Sequence, residues 1–224
     1  MTSELIETWL RGYCLARGLG TPEVVSEGFW VEVAKPQQIG RYILERFNPI
    51  AILGLVDRIS ESSVYIEFPG ALAQALPILP EGWSVRDDAY LMGKGLIRGA
   101  AADADIPMGY CLEERAGADV VTILARSEAG ELAGRGCFAT IGNVAIFDQI
   151  SIEPSHRRRG LGRAVVGQLE QRAVERDMSR GLLVATEEGR ALYDATGWNR
   201  LSTIVSMISW FEPSAARGSP GQSN

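Results

Sequence analysis

At 224 residues, with 46% hydrophobic and 22% charged residues, the chain has the balance of a globular protein that buries a real core in one large or two small domains. Its 22 Lys and Arg against 28 Asp and Glu give a net charge of −6, which excludes the basic surface that general nucleic-acid binding needs and is mildly compatible with a cationic substrate. Cys14, Cys111 and Cys137 match neither a metal spacing nor a disulfide framework, and no run of about 20 apolar residues reads as a membrane span, so a reducing, cytoplasmic setting is expected.

Ser3 to Arg17 predicts an amphipathic helix, with Leu5, Ile6, Trp9, Leu10 and Tyr13 on one face and Gly18 as its stop. Phe29 to Val33 predicts a strand. Pro36 then opens a helix expected to run through Phe47, closed by Asn48-Pro49. Ile50 to Val56, Val64 to Phe68 and Val85 to Leu91 predict short strands, and Ala71 to Leu76 a short helix. Trp9, Trp30 and Trp83 are taken as core aromatics before pocket residues. The Gly-, Ala- and Asp-rich stretch Gly93 to Asp105 is the expected boundary between two halves that pack together. Beyond it, strands are expected at Asp119–Ala125, Leu132–Thr140, Val144–Ile152, Gly181–Ala185 and Leu201–Trp210, with a helix from Leu161 to near Asp177 and another from Glu188 to Ala195. No internal repeat is evident, and the Gly-, Ser- and Pro-containing tail from Pro213 is expected to be disordered.

The stretch from Ile146 to Val166 carries the chemistry. Ile146, Ile150 and Ile152 mark a strand, Pro154 ends its ladder, and Arg157-Arg-Arg-Gly160-Leu-Gly162 forms a loop. Ala164, Val165, Leu169 and Ala173 then recur at helical spacing. A strand feeding a glycine loop that opens a helix is an anion site, because curled backbone N–H groups and the helix dipole converge on one spot. Three arginines suit an anion with more than one charge, such as a pyrophosphate. The P-loop pattern is absent, and Val165 stands where a dinucleotide fingerprint needs its third glycine.

What remains, Arg/Gln-x-x-Gly-x-Gly at Arg157 to Gly162, resembles the pyrophosphate motif of the GNAT family of acyl-coenzyme A-dependent N-acetyltransferases. A second motif of that family is matched by Ala191-Leu-Tyr193-Asp-Ala-Thr-Gly197-Trp198. Thr186 stands where the family carries Asn, and Trp198 where it carries Phe. The resemblance covers the C-terminal half. It implies an α/β fold with a mixed, mostly antiparallel sheet flanked by helices. The expected domains are an N-terminal α/β lobe at 1–95, possible kin to the second half, and a GNAT domain at 96–212, followed by the tail at 213–224.

The resemblance further implies acetyl transfer from acetyl-coenzyme A, as co-substrate, to a primary amine of a small molecule, peptide or protein by direct attack. Coenzyme contacts are expected from Ile150, Ser151 and Ile152 along the strand, from Arg157, Arg159, Gly160, Leu161, Gly162 and Arg163 in the loop and helix start, and from Thr186. The backbone N–H near Ile150 would meet the developing oxyanion, and Tyr193 would protonate the leaving thiolate. Asp148 and Glu153 are the nearest strand carboxylates; alternation puts them on opposite faces, and Asp148 is the preferred proton acceptor. Arg158 is expected at the rim. His156 is read as a surface residue, since no nucleophile elbow accompanies it, and one histidine excludes multi-histidine metal sites. The rival reading is a non-catalytic acyl-coenzyme A sensor or interaction module. Homodimerisation stays open.

Overall fold

A computed structural model describes residues 3–97 and 105–211 of the chain. Helix α1 (Ser3–Arg17) ends as expected at Gly18, which takes a left-handed φ of 65°. Strands β1 (Glu23–Val25), β2 (Gly28–Lys35) and β3 (Gln38–Ile43) follow as an antiparallel meander. β3 overturns the helix expected from Pro36 to Phe47. Lys35 pairs with Gln38, so Pro36 and Gln37 make a tight turn, and proline fits a turn corner as readily as a first helical turn.

Helix α2 (Pro49–Arg58) likewise replaces the strand expected at Ile50–Val56. Asn48-Pro49 is a helix start and not a stop. The Asn48 side-chain oxygen accepts from the Ala51 N–H at 3.2 Å, and Pro49 sits where no intrahelical N–H is needed. Strand β4 (Val64–Pro69) and helix α3 (Leu72–Ala75) fall where expected. Strand β5 (Trp83–Gly95) is longer than expected and carries regular structure into the anticipated boundary; 98–104 of that stretch and the tail from Pro213 lie outside the described residues.

The second half opens with β6 (Tyr110–Ala116), which hydrophobic patterning missed because this edge strand is largely exposed. Then come β7 (Val120–Ser127), β8 (Leu132–Ile141), β9 (Val144–Ile152), α4 (Leu161–Glu175), β10 (Arg180–Thr186), α5 (Glu187–Asp194) and β11 (Asn199–Ser209). Among the described residues, eleven strands form one sheet in the order β1-β2-β3-β4-β11-β5-β10-β9-β8-β7-β6. It is mostly antiparallel, and among the described residues the parallel pairs are β3/β4 and β9/β10.

That order contains a repeat that single-sequence inspection did not find. Each half is an antiparallel meander, a helix, a parallel strand, a short helix and a last strand. The last strands are exchanged: β5, from the first half, pairs with β10, and β11, from the second, pairs with β4. β5 and β11 pair antiparallel with each other at the centre. The halves therefore share one continuous sheet.

Two layers of apolar side chains sandwich this sheet. On one face Phe138, Phe147, Leu183 and Met92 meet α4 through Val165 and Leu169, while Ile66, Phe68, Val205 and Met207 meet α2 through Ile52 and Leu55. On the other face α1 covers Ile146, Leu182, Leu91 and Ile204 with Ile6, Trp9, Leu10 and Tyr13. Gly12 lets α1 approach this closely, because a Cβ there would sit 2.1 Å from Ile146 Cγ1. Among the described residues no helix is long and apolar enough to cross a membrane.

Candidate active site

The parallel pairing of β9 with β10 runs only from Val144–Ile146 against Arg180–Leu182. Beyond Leu182 the strands diverge, and the later residues of β9 lose that neighbour. A cavity of about 570 Å³ opens on the α4 side of this splay, within the size range of ligand sites. Its walls are Ile150 to Ile152 on β9, the loop and start of α4, and Thr186, Leu192 and Tyr193 at β10 and α5.

The cradle is built by backbone. Arg158 (φ 59°) and Gly160 (φ 82°) both adopt left-handed conformations, which turn the loop back into α4. Gly160 is the N-cap residue, a role its lack of Cβ suits at that φ, and no side chain caps this end. Ala164 donates to the Gly160 carbonyl at 3.2 Å, so the N–H groups of Leu161, Gly162 and Arg163 have no intrahelical acceptor. They line the cavity together with the helix dipole's positive end. Such a start to a helix fits a pyrophosphate.

The arginines divide their work. Arg157 lines the cavity, donates through Nε to the Ile152 carbonyl at 3.0 Å and pairs with Glu188 at 2.7 Å. Arg158, expected at the rim, is a lining residue. Arg159, expected to bind the coenzyme, is not: it is tied to the Tyr110 hydroxyl at 3.2 Å and the Ser155 carbonyl at 3.1 Å. Arg158, the one of the two that lines the cavity, is also the one at a left-handed φ. His156 is a half-buried lining residue whose Nδ1 lies 2.9 Å from the Tyr110 hydroxyl, so its reading as a plain surface residue is corrected.

Thr186 and Tyr193 close the inner end. The Thr186 hydroxyl accepts from the Gly189 N–H at 3.2 Å and so caps α5, a job an Asn side chain also performs. Tyr193 is 8% exposed, and burial, reinforced by the charge of Asp148, pushes its phenol well above its ordinary range. Its ring packs edge-on to Trp198, with centroids 5.9 Å apart. Trp198 Nε1 donates to buried Glu170 at 2.8 Å, and Glu170 pairs with Lys94 at 2.7 Å, which accounts for a tryptophan at this position.

Asp148 lies on the opposite face of the sheet. Gln149 has φ 54°, and the β8/β9 register shifts there, leaving one extra residue in β9. This bulge breaks the alternation from which opposite faces were inferred for Asp148 and Glu153. Both Asp148 oxygens accept from Arg17, at 2.6 and 2.9 Å, and Gln149 Nε2 donates to the Ala16 carbonyl at 2.6 Å. The Asp148 hydrogen bond keeps Arg17 firmly protonated in spite of its burial. A second cavity of about 310 Å³ is lined here by Asp148, Arg17 and Thr186, among others. Thr186 thus belongs to both cavities, and the gap between β9 and β10 separates them. Sequence reasoning missed Glu188, Gly189 and Leu192, which reach the first cavity only because α5 begins immediately at Thr186. It also missed Arg17, which the last turn of α1 delivers. Among the described residues no cluster of His, Cys, Asp or Glu is placed to hold a metal ion.

Comparison with known proteins agrees with this fold. Residues 96–198 match the acetyltransferase (GNAT) family. Among solved structures, a GCN5-related N-acetyltransferase from Kribbella flavida superposes over 93% of this chain and 95% of its own, with TM-score 0.67 and 16% identity. A GCN5-related N-acetyltransferase-like protein from Streptococcus suis covers 86% of this chain and 89% of its own, with TM-score 0.59 and 10% identity. A tandem GNAT protein from the clavulanic acid biosynthesis pathway covers 84% and 75%, with TM-score 0.56 and 15% identity. No curated protein matches the sequence. Residues 96–198 are thus similar to the acetyltransferase (GNAT) family, and the chain has the fold of these GNAT structures.

Proposed function

We propose that the protein transfers an acetyl group from acetyl-coenzyme A to a primary amine by direct attack, without an acyl-enzyme. One observation carries this reading: two cavities lie on opposite faces of the sheet, on either side of the splay between β9 and β10, with Thr186 lining both. In this reading the coenzyme phosphates rest on the N–H groups of Leu161, Gly162 and Arg163 beside Arg157 and Arg158. Its pantetheine arm follows Ile150–Ile152 to the gap, and the amine arrives from the α1 side.

The residues then have distinct tasks. A lysine-like ammonium is almost wholly protonated near neutral pH and must lose a proton before it attacks. Asp148, directly or through water, accepts that proton. A backbone N–H near Ile150 meets the carbonyl oxygen as charge builds on it. Tyr193, neutral because burial opposes its ionisation, protonates the departing sulfur. The first half serves as a degenerate copy. Its loop between β3 and α2 is closed by the Asn48 side chain and Pro49, which supports a scaffolding role for residues 1–95 and not a second coenzyme site.

The direct test follows free thiol during incubation of the protein and acetyl-coenzyme A with a panel of amines. Amine-dependent thiol release is expected, and Gly160→Val should abolish it, since a β-branched residue at φ 82° is strained and obstructs the cradle. Coenzyme binding by calorimetry without thiol release from any amine would point to a sensor and overturn the transferase reading.

A further inference from the structure

The bulge in β9 decides which face each side chain takes. Upstream of it the strand alternates: Ala145 and Phe147 pack on the α4 side, and Ile146 packs under α1. Asp148 follows that alternation to the α1 side, where Arg17 holds it. Unbroken alternation would send Ile150 and Ile152 to the same side as Asp148. Both instead pack on the α4 side and line the first cavity. The change of side occurs at Gln149. Cys137 opposes Asp148 and Arg135 opposes Ser151, so Gly136 faces both Gln149 and Ile150. Gly136 also makes the room that Ile150 needs, since a Cβ there would lie 2.8 Å from Ile150 Cγ1 and 2.9 Å from Leu169 Cδ1 on α4.

Half-buried Gln149 takes φ 54°, a left-handed conformation that a glutamine disfavours and that its surroundings must hold. Its carboxamide is gripped at both ends. Nε2 donates to the Ala16 carbonyl at 2.6 Å, and Oε1 accepts from Arg135 on β8 at 3.0 Å. Ala16 lies in the last turn of α1, where carbonyls lack an intrahelical donor, so the same bond completes the helix end. The next residue of that turn, Arg17, donates to both oxygens of Asp148. Neighbouring residues of α1 thus hold neighbouring residues of the bulge. The Cys137 thiol adds a third tie, donating to the Asp148 carbonyl at 3.3 Å.

We infer, on the basis of acyl transfer at this site, that Gln149 is a positioning residue for that transfer. It acts through its two neighbours. While the carboxamide ties the bulge to α1 and β8, Asp148 stays on the amine side and Ile150, with its backbone N–H, on the thioester side. The helix that lines the second cavity is thereby coupled to the wall of the first. The N–H groups of Leu161 to Arg163 belong to a different element, so coenzyme affinity should survive loss of this tie.

The test measures thiol release at saturating amine and acetyl-coenzyme A, and coenzyme A binding by calorimetry, in the wild type and in Gln149→Gly. Glycine takes the left-handed φ freely, so this variant removes the two side-chain bonds without opposing the backbone. Its kcat should fall by at least about fivefold, because small misplacements of reacting groups are costly in rate, while the Kd for coenzyme A moves by less than about threefold. If the glycine variant fails to fold, Gln149→Glu decides: it keeps the size and the bond from Arg135, but its carboxylate cannot donate to the Ala16 carbonyl, and the same fall is expected. A smaller fall in the folded variant would overturn the inference and leave acyl transfer standing. So would an equal loss of coenzyme affinity, the mark of a general loosening of the sheet. Thiol release from no amine in the wild type would overturn both.

Discussion

Tyr193→Phe lowers kcat by about 10²–10⁴-fold, the usual contribution of a positioned general acid, and leaves the affinity for acetyl-coenzyme A nearly unchanged. The substitution removes one oxygen from a ring held by Trp198 and keeps the packing that orients it. The pH dependence has a definite sign. Burial and the charge of Asp148 raise the phenol above its ordinary value, so the protonated, competent form persists to higher pH than for a free tyrosine. With amine and coenzyme saturating, kcat should therefore show no decline from Tyr193 ionisation as pH rises from 7 to about 10, the ordinary tyrosine pKa. A variant within about threefold of the wild type, well short of the usual general-acid contribution, would remove Tyr193 from the chemistry.

Glu170→Ala should be the costliest single change to the fold. Glu170 is 2% exposed on α4, and its two oxygens take hydrogen bonds from Lys94 and from the indole of Trp198. Removing it strands a lysine that is itself largely buried, a class of change that costs about 3–5 kcal/mol. For a chain of this size that corresponds to a fall in Tm of roughly 6–20 °C. Glu170→Gln keeps a hydrogen-bonding oxygen and should lose clearly less. Because Trp198 supports both Tyr193 and Phe147, kcat should fall in Glu170→Ala even well below its Tm. Thermal unfolding followed by circular dichroism measures the first effect, and a Tm shift below about 2 °C, less than one kcal/mol's worth, would contradict the structural role.

The C-terminal half was the legible half. There the alternation of β7 to β9, the loop from Arg157 to Gly162 and the apolar stripe of α4 are each strong local signals, and they agree with one another. The first half was harder because its signals point two ways. Pro36 and Pro49 both suit a first helical turn, and only pairing of Lys35 with Gln38 shows that the former belongs to a hairpin. The run Ile50 to Val56 is apolar enough for a strand, and the Asn48 cap decides for a helix. Exchange of β5 and β11 was out of reach, since it is a choice among long-range partners that neither strand encodes alone. The candidate site shows the same division. The backbone cradle could be read from its glycines, whereas the placing of Arg158 in the cavity and the bulge at Gln149 each fall at a positive-φ residue that no pattern announces. Arg17 was invisible for a different reason: it reaches Asp148 across 131 positions of the chain.

A crystal structure of the protein with coenzyme A bound tests the two-sided site most directly. The pyrophosphate should lie on the N–H groups of Leu161, Gly162 and Arg163, and the sulfur should reach the gap between β9 and β10 within a hydrogen bond of the Tyr193 hydroxyl. Phosphates held anywhere else, or a sulfur turned away from that gap with the α1-side cavity closed off from it, would contradict the proposal that donor and acceptor meet through the sheet.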